Sequence, residues 1–376
     1  MNYDDVMKLA LERGFYFPSC EVYGDAKAGF WEYGPSGVGL KNKFLELWRR
    51  ELIRRDEMME IDGSQIMSQS VFEASGHLSS FADPIIKCTK CNSTFRADRM
   101  ITEVSKIEIP ESADLGEFDK AIADNKIKCP RCKGDFSSTQ KFNMMFKVGI
   151  GPDSEPAYLR PETCQSIFVD FPRLFKTMRG KLPLGIAQVG KSFRNEIAPR
   201  QSLLRLREFY QAEIEVFCNP KNLNDLEKFK ETENTIIRVQ IDSEPKEMTC
   251  KEAVESGTIP NKFVAYYLGI LSEFYEKTGI DITKSRFRKL GDKEKAFYAE
   301  DAWDIEIYTR SFGWVECCGI HDRGDYDLTQ HTKFSKQKLV TFDEKTGEHL
   351  VPHILEIAFG TDRPTFALLD LFYDPS

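Results

Sequence analysis

The chain has 376 residues and a formal net charge of −8. That length can hold two or three domains with ample core. The acidic balance excludes a global basic field, so a nucleic-acid partner would need a local basic patch. No apolar run approaches membrane-spanning length, and the opening Met-Asn-Tyr-Asp-Asp-Val-Met lacks a cationic segment leading an apolar core. A soluble, cytoplasmic protein without a membrane partner is therefore expected. Four of the ten cysteines form two tight pairs and the rest are scattered, which fits a reducing compartment.

In chain order, Val6, Leu9 and Ala10 predict an amphipathic helix. A second is predicted from Leu40 to about Arg55, with Phe44, Leu47, Trp48 and Leu52 on one stripe. Between them Gly29, Gly34, Gly37 and Gly39 lack the strand–turn–helix spacing of a phosphate loop and read as a structural turn. Residues 61–82 read as a strand followed by Glu-Ala-Ser-Gly-His, in which His77 reads as a packed or capping residue. Cys88-Thr-Lys-Cys91 and Cys129-Pro-Arg-Cys132 then flank a polar, acidic stretch. Each pair is a knuckle that can offer two thiolates to one tetrahedral zinc. Four thiolates leave no open position, so the expected role is structural.

Lys141–Val148 predicts a strand, and Arg160 and Glu162 straddle a proline at a helix start. Residues 185–217 read at period two as paired strands joined by a long basic loop. One face of the first strand carries Gln188, Gly190, Ser192, Arg194 and Glu196; one face of the second carries Arg207, Phe209, Gln211, Glu213 and Glu215. Such a face suits either a solvated sheet surface or a floor for a ligand bearing both signs of charge, with Gly190 and Ser192 leaving room above it. Farther on, a helix is expected around Ala265–Tyr275, and the basic run Lys284–Lys289 reads as a phosphate contact or a solvated strand edge. Strand periodicity resumes at Trp303–Tyr308 and Gly313–Ile320, with Glu316 beside Trp314 and Cys318 on one face. A strand through Glu356 then leads into a helix, with Arg363 at the junction.

No Gly-rich loop followed by Lys-Ser/Thr occurs, and no residue stands out as a covalent nucleophile. A carboxylate attacking the α-phosphorus of ATP needs neither. It needs arginines and Mg²⁺ to neutralise the phosphoryl oxygens, and carboxylates to grip an ammonium group. Arg194, Arg207 and Arg363 with Glu162, Glu213 and Glu356 suit amino-acid adenylation.

Ordered along the chain are Tyr-Gly-Pro at 33–35, Glu-Ala-Ser-Gly-His at 73–77, the paired cysteines, Leu-Arg-Pro-Glu-Thr at 159–163 and Phe-Arg-Asn-Glu-Ile at 193–197. They continue with Arg-Glu-Phe at 207–209, Ala-Glu-Ile-Glu at 212–215, Val-Glu-Cys at 315–317 and Phe-Gly-Thr-Asp-Arg at 359–363. This order resembles class II aminoacyl-tRNA synthetases, and among them the glycyl-tRNA synthetases of the archaeal/eukaryotic type. The resemblance implies an α+β fold with an antiparallel six- or seven-stranded sheet flanked by helices and a small four-cysteine zinc-binding insertion. It divides the chain into 1–83 (catalytic core with the dimer-interface motif), 84–140 (zinc-knuckle insertion), 141–217 (core with the ATP and amino-acid hairpin), 218–300 (helical insertion) and 301–376 (end of the core). It implies Arg194 on the α-phosphate, Arg363 near the γ-phosphate, Glu196, Arg205 and Arg207 in the ATP site, and Phe209 under adenine. Glu162, Glu213 and Glu356 would surround the amino group of glycine. Arg160 and Glu316 would complete the site, the latter with Mg²⁺, and Cys88, Cys91, Cys129 and Cys132 would hold structural Zn²⁺. Expected partners are glycine, ATP, the acceptor end of tRNA(Gly) and a second copy of the chain.

Several positions depart from that pattern. Ile357-Ala358 stands where the family has Pro-Ser, whose hydroxyl belongs to the glycine pocket. Cys164 and Ser166 replace Ala and Gly, Ser64 replaces an interface proline, and Phe297 and Ala302 replace a His and a Cys. The sequence ends at Ser376, where the family continues into an anticodon-binding domain. The expected function is glycine activation and transfer to tRNA. The alternatives are a paralogue activating an amino acid for another acceptor, and a non-catalytic binding module.

Overall fold

The computed structural model describes residues 3–110, 113–199, 201–241, 244–291, 294–295 and 299–374; Phe297 and Ser376, singled out above, lie outside them. The secondary structure follows from the apolar periodicity. Helix α1 (Tyr3–Glu12) buries Val6 and Ala10. Helix α2 (Pro35–Trp48) begins with proline in its first turn, where no amide donor is needed, and runs on through a single π-turn to Ile53. Its stripe Phe44, Trp48 and Leu52 is buried as expected. Gly34 and Gly37 serve the turn before it, because a Cβ would lie 2.3 Å from the Gly14 carbonyl oxygen and 1.8 Å from that of Phe15.

Strands β1 (Met59–Ile61), β2 (Leu184–Phe193), β3 (Glu208–Cys218), β4 (Ile236–Gln240), β5 (Lys246–Thr249), β6 (Ser285–Lys289), β7 (Asp301–Thr309), β8 (Gly313–Gly324) and β9 (His353–Gly360) form one sheet among the described residues. Their order is β5-β4-β6-β7-β8-β9-β3-β2-β1. The six strands from β6 to β2 are antiparallel, the expected core. The sheet is wider than expected because β1 joins β2, and β4 joins β6, in parallel.

The sheet's two faces have different covers. Ala187, Ala212, Ile214 and Val216 pack with Phe44 and Trp48 of α2 and with the apolar side of the helix Lys262–Lys277 in the largest core cluster. The opposite face carries the charged residues of β2 and β3. Helix α3 (Ala97–Ser105) belongs to the cysteine insertion, and helix α4 (Cys164–Thr177) roofs the far end of this charged face. There Ile167, Phe168 and Phe171 meet Leu184, Ile186, Phe217 and Ile354, with Phe171 stacked on Phe217 at 4.0 Å. The near end of the face stays open as a cavity.

The stretch 218–300, expected as a helical insertion, is mixed. It holds β4, β5 and β6 as well as helix α5 (Lys262–Lys277), because alternating residues such as Ile237 and Val239 can extend the sheet over α5. The basic run at 284–289 is strand β6 between β4 and β7, and its charges are neutralised internally. Arg286 pairs with Glu306 at 2.5 Å, and Arg288 pairs with Glu294 at 3.1 Å and Asp304 at 3.1 Å, so neither a phosphate contact nor a free edge applies. The predicted strand 141–148 divides in two, Gln140–Asn143 and Lys147–Ile150. Helices α6 (Tyr326–Ser335) and α7 (Asp362–Phe372) complete the layers.

Candidate active site

β2 and β3 pair with Gln188 opposite Glu213 and Ser192 opposite Phe209, so the predicted charged faces coincide. Above them lies a cavity of about 500 Å³, lined among others by Glu162, Arg194, Glu196, Arg205, Phe209, Glu213, Glu316, Glu356, Ala358 and Arg363. Ten of the twelve non-cysteine site residues expected from sequence thus meet in one place.

The two exceptions turn away for steric reasons. Arg160 is 1 % exposed and donates to the carbonyls of Lys191 at 2.9 Å and Gly63 at 3.1 Å. Its guanidinium fills the space over Gly190, where a Cβ would stand 2.1 Å from Nη2. The room above the sheet therefore holds Arg160, not ligand. Arg207 donates to the Glu196 and Ala28 carbonyls at 2.9 Å each, pinning the loop around Gly29 to the hairpin loop. At Gly29 (φ +85°) a Cβ would meet Pro199 at 2.7 Å, so only glycine permits this approach.

One end of the cavity is acidic. Glu162 accepts from Cys164 Sγ at 3.0 Å and Gln165 Nε2 at 2.8 Å, and His77 Nε2 stands 3.5 Å away. His77 is packed between the rings of Phe72 and Phe81, as expected, outside the cavity lining, and reaches the site only through Glu162. Gln165 is itself held by His331 Nε2 at 3.0 Å. Glu213 accepts from Thr163 N at 2.8 Å and Gln211 Nε2 at 2.7 Å. Glu356 accepts from His321 Nδ1 at 2.8 Å and lies 3.1 Å from Arg323 Nη1. Burial raises all three carboxyls, with different outcomes. Beside Glu162, His77 and Arg323 outweigh burial and hold the carboxyl well below its usual range. Arg323 and His321 do the same for Glu356. Glu213, pushed up by burial and then by Glu356 and Glu162, reaches about 7. Deeper on the same face, Glu215 is raised well above its usual range, by burial and then Glu356, and its oxygens have no hydrogen-bond partner among the described residues. With Glu162 and Glu356 held as carboxylates, this end suits an ammonium group.

The other end is basic. Arg194 donates to the Pro161 carbonyl at 3.1 Å and lies over the rings of Phe81 at 5.5 Å and Phe209 at 5.3 Å. The rings fix the guanidinium without neutralising it. Arg205 pairs with Glu196 at 2.8 Å. Arg363 pairs with Glu316 at 3.0 Å, and that carboxylate is held below its usual range because Arg363 outweighs the effect of burial.

Sequence reading missed His321 and Arg323, and the cause is local. The β7–β8 register slips between Ile305 and Glu306, so Cys318 points into the core rather than sharing a face with Glu316. A second slip, between β8 and β9 at Asp322/Gly324, presents Arg323 to Glu356. Bulges break period two, and nothing in residues 313–324 announces them. Of the altered positions, Ala358 lines the cavity while Ile357 belongs to the core on the opposite face. Cys164 is buried behind Glu162, and Ser166 and Ala302 are buried outside the cavity lining. Arg99, from the cysteine insertion, also lines the cavity, a position no motif had marked.

The four predicted zinc ligands converge. The ligand atoms of Cys88, Cys91, Cys129 and Cys132 all lie within 4.8 Å of one another, with Cys88–Cys132 at 3.5 Å and Cys91–Cys129 at 3.7 Å. A zinc tetrahedron with bonds of about 2.3 Å has edges of about 3.8 Å, so the sulfurs fit the ion.

The family model for the tRNA synthetase class II core domain (G, H, P, S and T) matches residues 146–372, and the chain belongs to this family. Its similar relatives are glycine–tRNA ligases. That of Methanococcus maripaludis is 41% identical over 360 residues, covering 93% of this chain and 62% of the relative. That of Methanocaldococcus jannaschii is 42% identical over 354 residues, covering 91% and 61%. That of Pyrococcus furiosus is 37% identical over 451 residues, covering 98% and 79%. The chain thus spans less than two thirds of the two methanogen relatives. Among solved structures, Giardia lamblia prolyl-tRNA synthetase in complex with prolyl-adenylate aligns with a TM-score of 0.58 at 14% identity, covering 99% of this chain and 52% of that one. That likeness concerns the fold.

Proposed function

We propose that the chain activates glycine with ATP as glycyl-adenylate and passes the glycyl group to the acceptor end of tRNA(Gly). The observation that carries this reading is the two-ended cavity: three buried glutamates facing four arginines across one sheet. Glu162, Glu213 and Glu356 hold the ammonium of glycine, and Ala358 forms part of the wall that leaves no room for a larger side chain. A glycine carboxylate oxygen attacks the α-phosphorus and pyrophosphate leaves. Arg194 stabilises the charge growing on the α-phosphoryl oxygens, Arg363 binds the γ-phosphate, Glu196 and Arg205 position the ATP loop, and Phe209 stacks on adenine. Arg160 and Arg207 act indirectly, by holding the floor and the loop. A terminal ribose hydroxyl of tRNA then attacks the adenylate carbonyl carbon. AMP leaves, and its phosphate takes the hydroxyl proton.

Glu316 is the residue to hold Mg²⁺. It is open to the cavity, and its carboxylate, a hard oxygen donor, is held charged by Arg363. Bound, the ion would neutralise phosphate charge. No helix of the described residues is long and apolar enough to cross a membrane. A dimer through the segment around Ser64 accompanies this reading, and sedimentation at micromolar concentration distinguishes it from a monomer. The activity itself is tested by charging of tRNA(Gly) with labelled glycine.

Glu213 makes the glycine site pH-dependent. The carboxyl is charged above about pH 7 and neutral below it. The KM for glycine should therefore rise as pH falls below 7, by up to about tenfold per unit, and Glu213→Gln should flatten the profile. A flat profile in the unaltered protein would contradict this assignment. The sign for stability is opposite. The folded carboxyl keeps its proton up to about 7 against 4.5 ordinarily, so ligand-free protein loses this contribution as pH rises across that window.

A further inference from the structure

Arg99 stands apart from the other cations of the cavity. It comes from the cysteine insertion, yet it lines the same cavity as Arg194, Arg205 and Glu196. Its guanidinium makes no hydrogen bond or ion pair among the described residues, whereas Arg205 is paired with Glu196 and Arg363 with Glu316. Burial, and then the charges of Arg205 and Arg96, lower its pKa against the opposing charges of Asp98 and Glu196. A guanidinium open to the cavity and without a carboxylate of its own can take an anionic ligand.

What aims Arg99 is the metal knuckle. The strand Ala82–Lys87 pairs with Thr94–Arg96, and the turn between them carries Cys88 and Cys91. The second strand passes directly into α3, which bears Arg99 in its first turn. Arg96 locks this junction through Asp83 at 3.0 Å and Asp98 at 2.7 Å. The second knuckle is clamped against the first: Thr89 N donates to the Asp135 carbonyl at 2.9 Å, and a Cβ on Gly134 would lie 3.1 Å from Cys88 Sγ. Apart from this the unit has a small apolar core, Ile86, Ala97, Met100, Ile101, Phe118 and Ile127. A core of that size depends on its metal.

We infer that Arg99 binds the phosphate chain of ATP and that the four-cysteine unit is the device that positions it, so that metal occupancy and ATP affinity are coupled. This rests on the proposed ATP chemistry of the cavity, and adds to it a phosphate ligand supplied from outside the sheet. The side chain is exposed to the cavity, so its removal leaves the core intact.

The test combines equilibrium dialysis with labelled ATP and kinetics of glycine-dependent ATP–pyrophosphate exchange. Arg99→Ala should raise the Kd and KM for ATP by about tenfold while leaving the KM for glycine unchanged, and Arg99→Lys should recover part of the loss. Cys129→Ser, with zinc loss verified by elemental mass spectrometry, should weaken ATP binding similarly. Adding Arg99→Ala to it should have little further effect. An unchanged ATP Kd in Arg99→Ala, or an effect confined to the KM for tRNA, overturns the assignment. Two full, independent losses in the double variant overturn the coupling. If the unaltered protein shows no exchange with any amino acid, the proposed function fails, while the dialysis still decides the role of Arg99.

Discussion

Arg194→Ala is expected to slow glycine-dependent ATP–pyrophosphate exchange by about a thousandfold, with little change in the stability of the fold. Arg194 is the cation fixed between Phe81 and Phe209 with no carboxylate paired to it among the described residues, so its charge is available to the reacting phosphoryl group. A prepositioned donor of this type is worth about 10²–10³ in rate when it acts where charge develops, and an arginine acting on a phosphoryl group more. Lysine keeps the charge but loses both the planar stacking and the bond to the Pro161 carbonyl, so Arg194→Lys should recover only a small part. Because the side chain's hydrogen bond is to a backbone carbonyl, the denaturation midpoint should hold nearly constant. Equal loss of stability and activity would instead make Arg194 a structural residue.

The second large effect is on stability. Arg323→Met should destabilise the protein by about 3–5 kcal/mol. Arg323 is 1 % exposed, pairs with Asp327 through two bonds of 2.7 and 2.9 Å, and reaches Glu356 at 3.1 Å. Asp327 is 0 % exposed, so truncating the arginine strands this carboxylate where water cannot replace it, and leaves Glu356 to His321 alone. A double change, Arg323→Met with Asp327→Leu, should recover much of the loss, since an apolar pair is often no worse than a buried ion pair. It should not fully restore glycine affinity, because Glu356 would still lack one of the two cations, Arg323 and His321, that keep it charged. Urea denaturation and the KM for glycine separate the two roles. A single variant as stable as the parent would show that the buried triad contributes nothing.

The parts of this site that were legible in the sequence are those governed by strict alternation. Gln188, Gly190 and Ser192 on one strand and Phe209, Gln211 and Glu213 on the next could be assigned to a face by counting in twos, and the register confirms that count. Alternation says nothing of reach. Arg160 and Arg207 lie at the expected places in the chain, but Gly190 opens a berth beneath the first and Gly29 brings a loop to the second, so neither enters the cavity. Where β8 bulges, counting in twos fails: Cys318 lies in the core instead of beside Glu316, and Arg323, which anchors the acidic end, lies beyond the predicted strand Gly313–Ile320, where alternation assigns no face. Arg99 was invisible for a different reason. Its place depends on how a separate small unit leans on the sheet, a tertiary fact with no local signature. The width of the sheet was underread likewise, since β4 and β5 are short strands beyond the six-stranded core.

The resemblance names glycine, while Ala358 and Cys164 alter the walls around Glu213 and Glu162. A lost hydroxyl at 358 is worth about 1–2 kcal/mol of binding, enough to weaken glycine recognition without abolishing it. The direct measurement is amino-acid-dependent ATP–pyrophosphate exchange across all twenty amino acids, with Arg194→Ala as control. Exchange with glycine alone, lost in the variant, is the predicted result. Exchange with a different amino acid, or none with any, would contradict the assignment of this cavity to glycine activation.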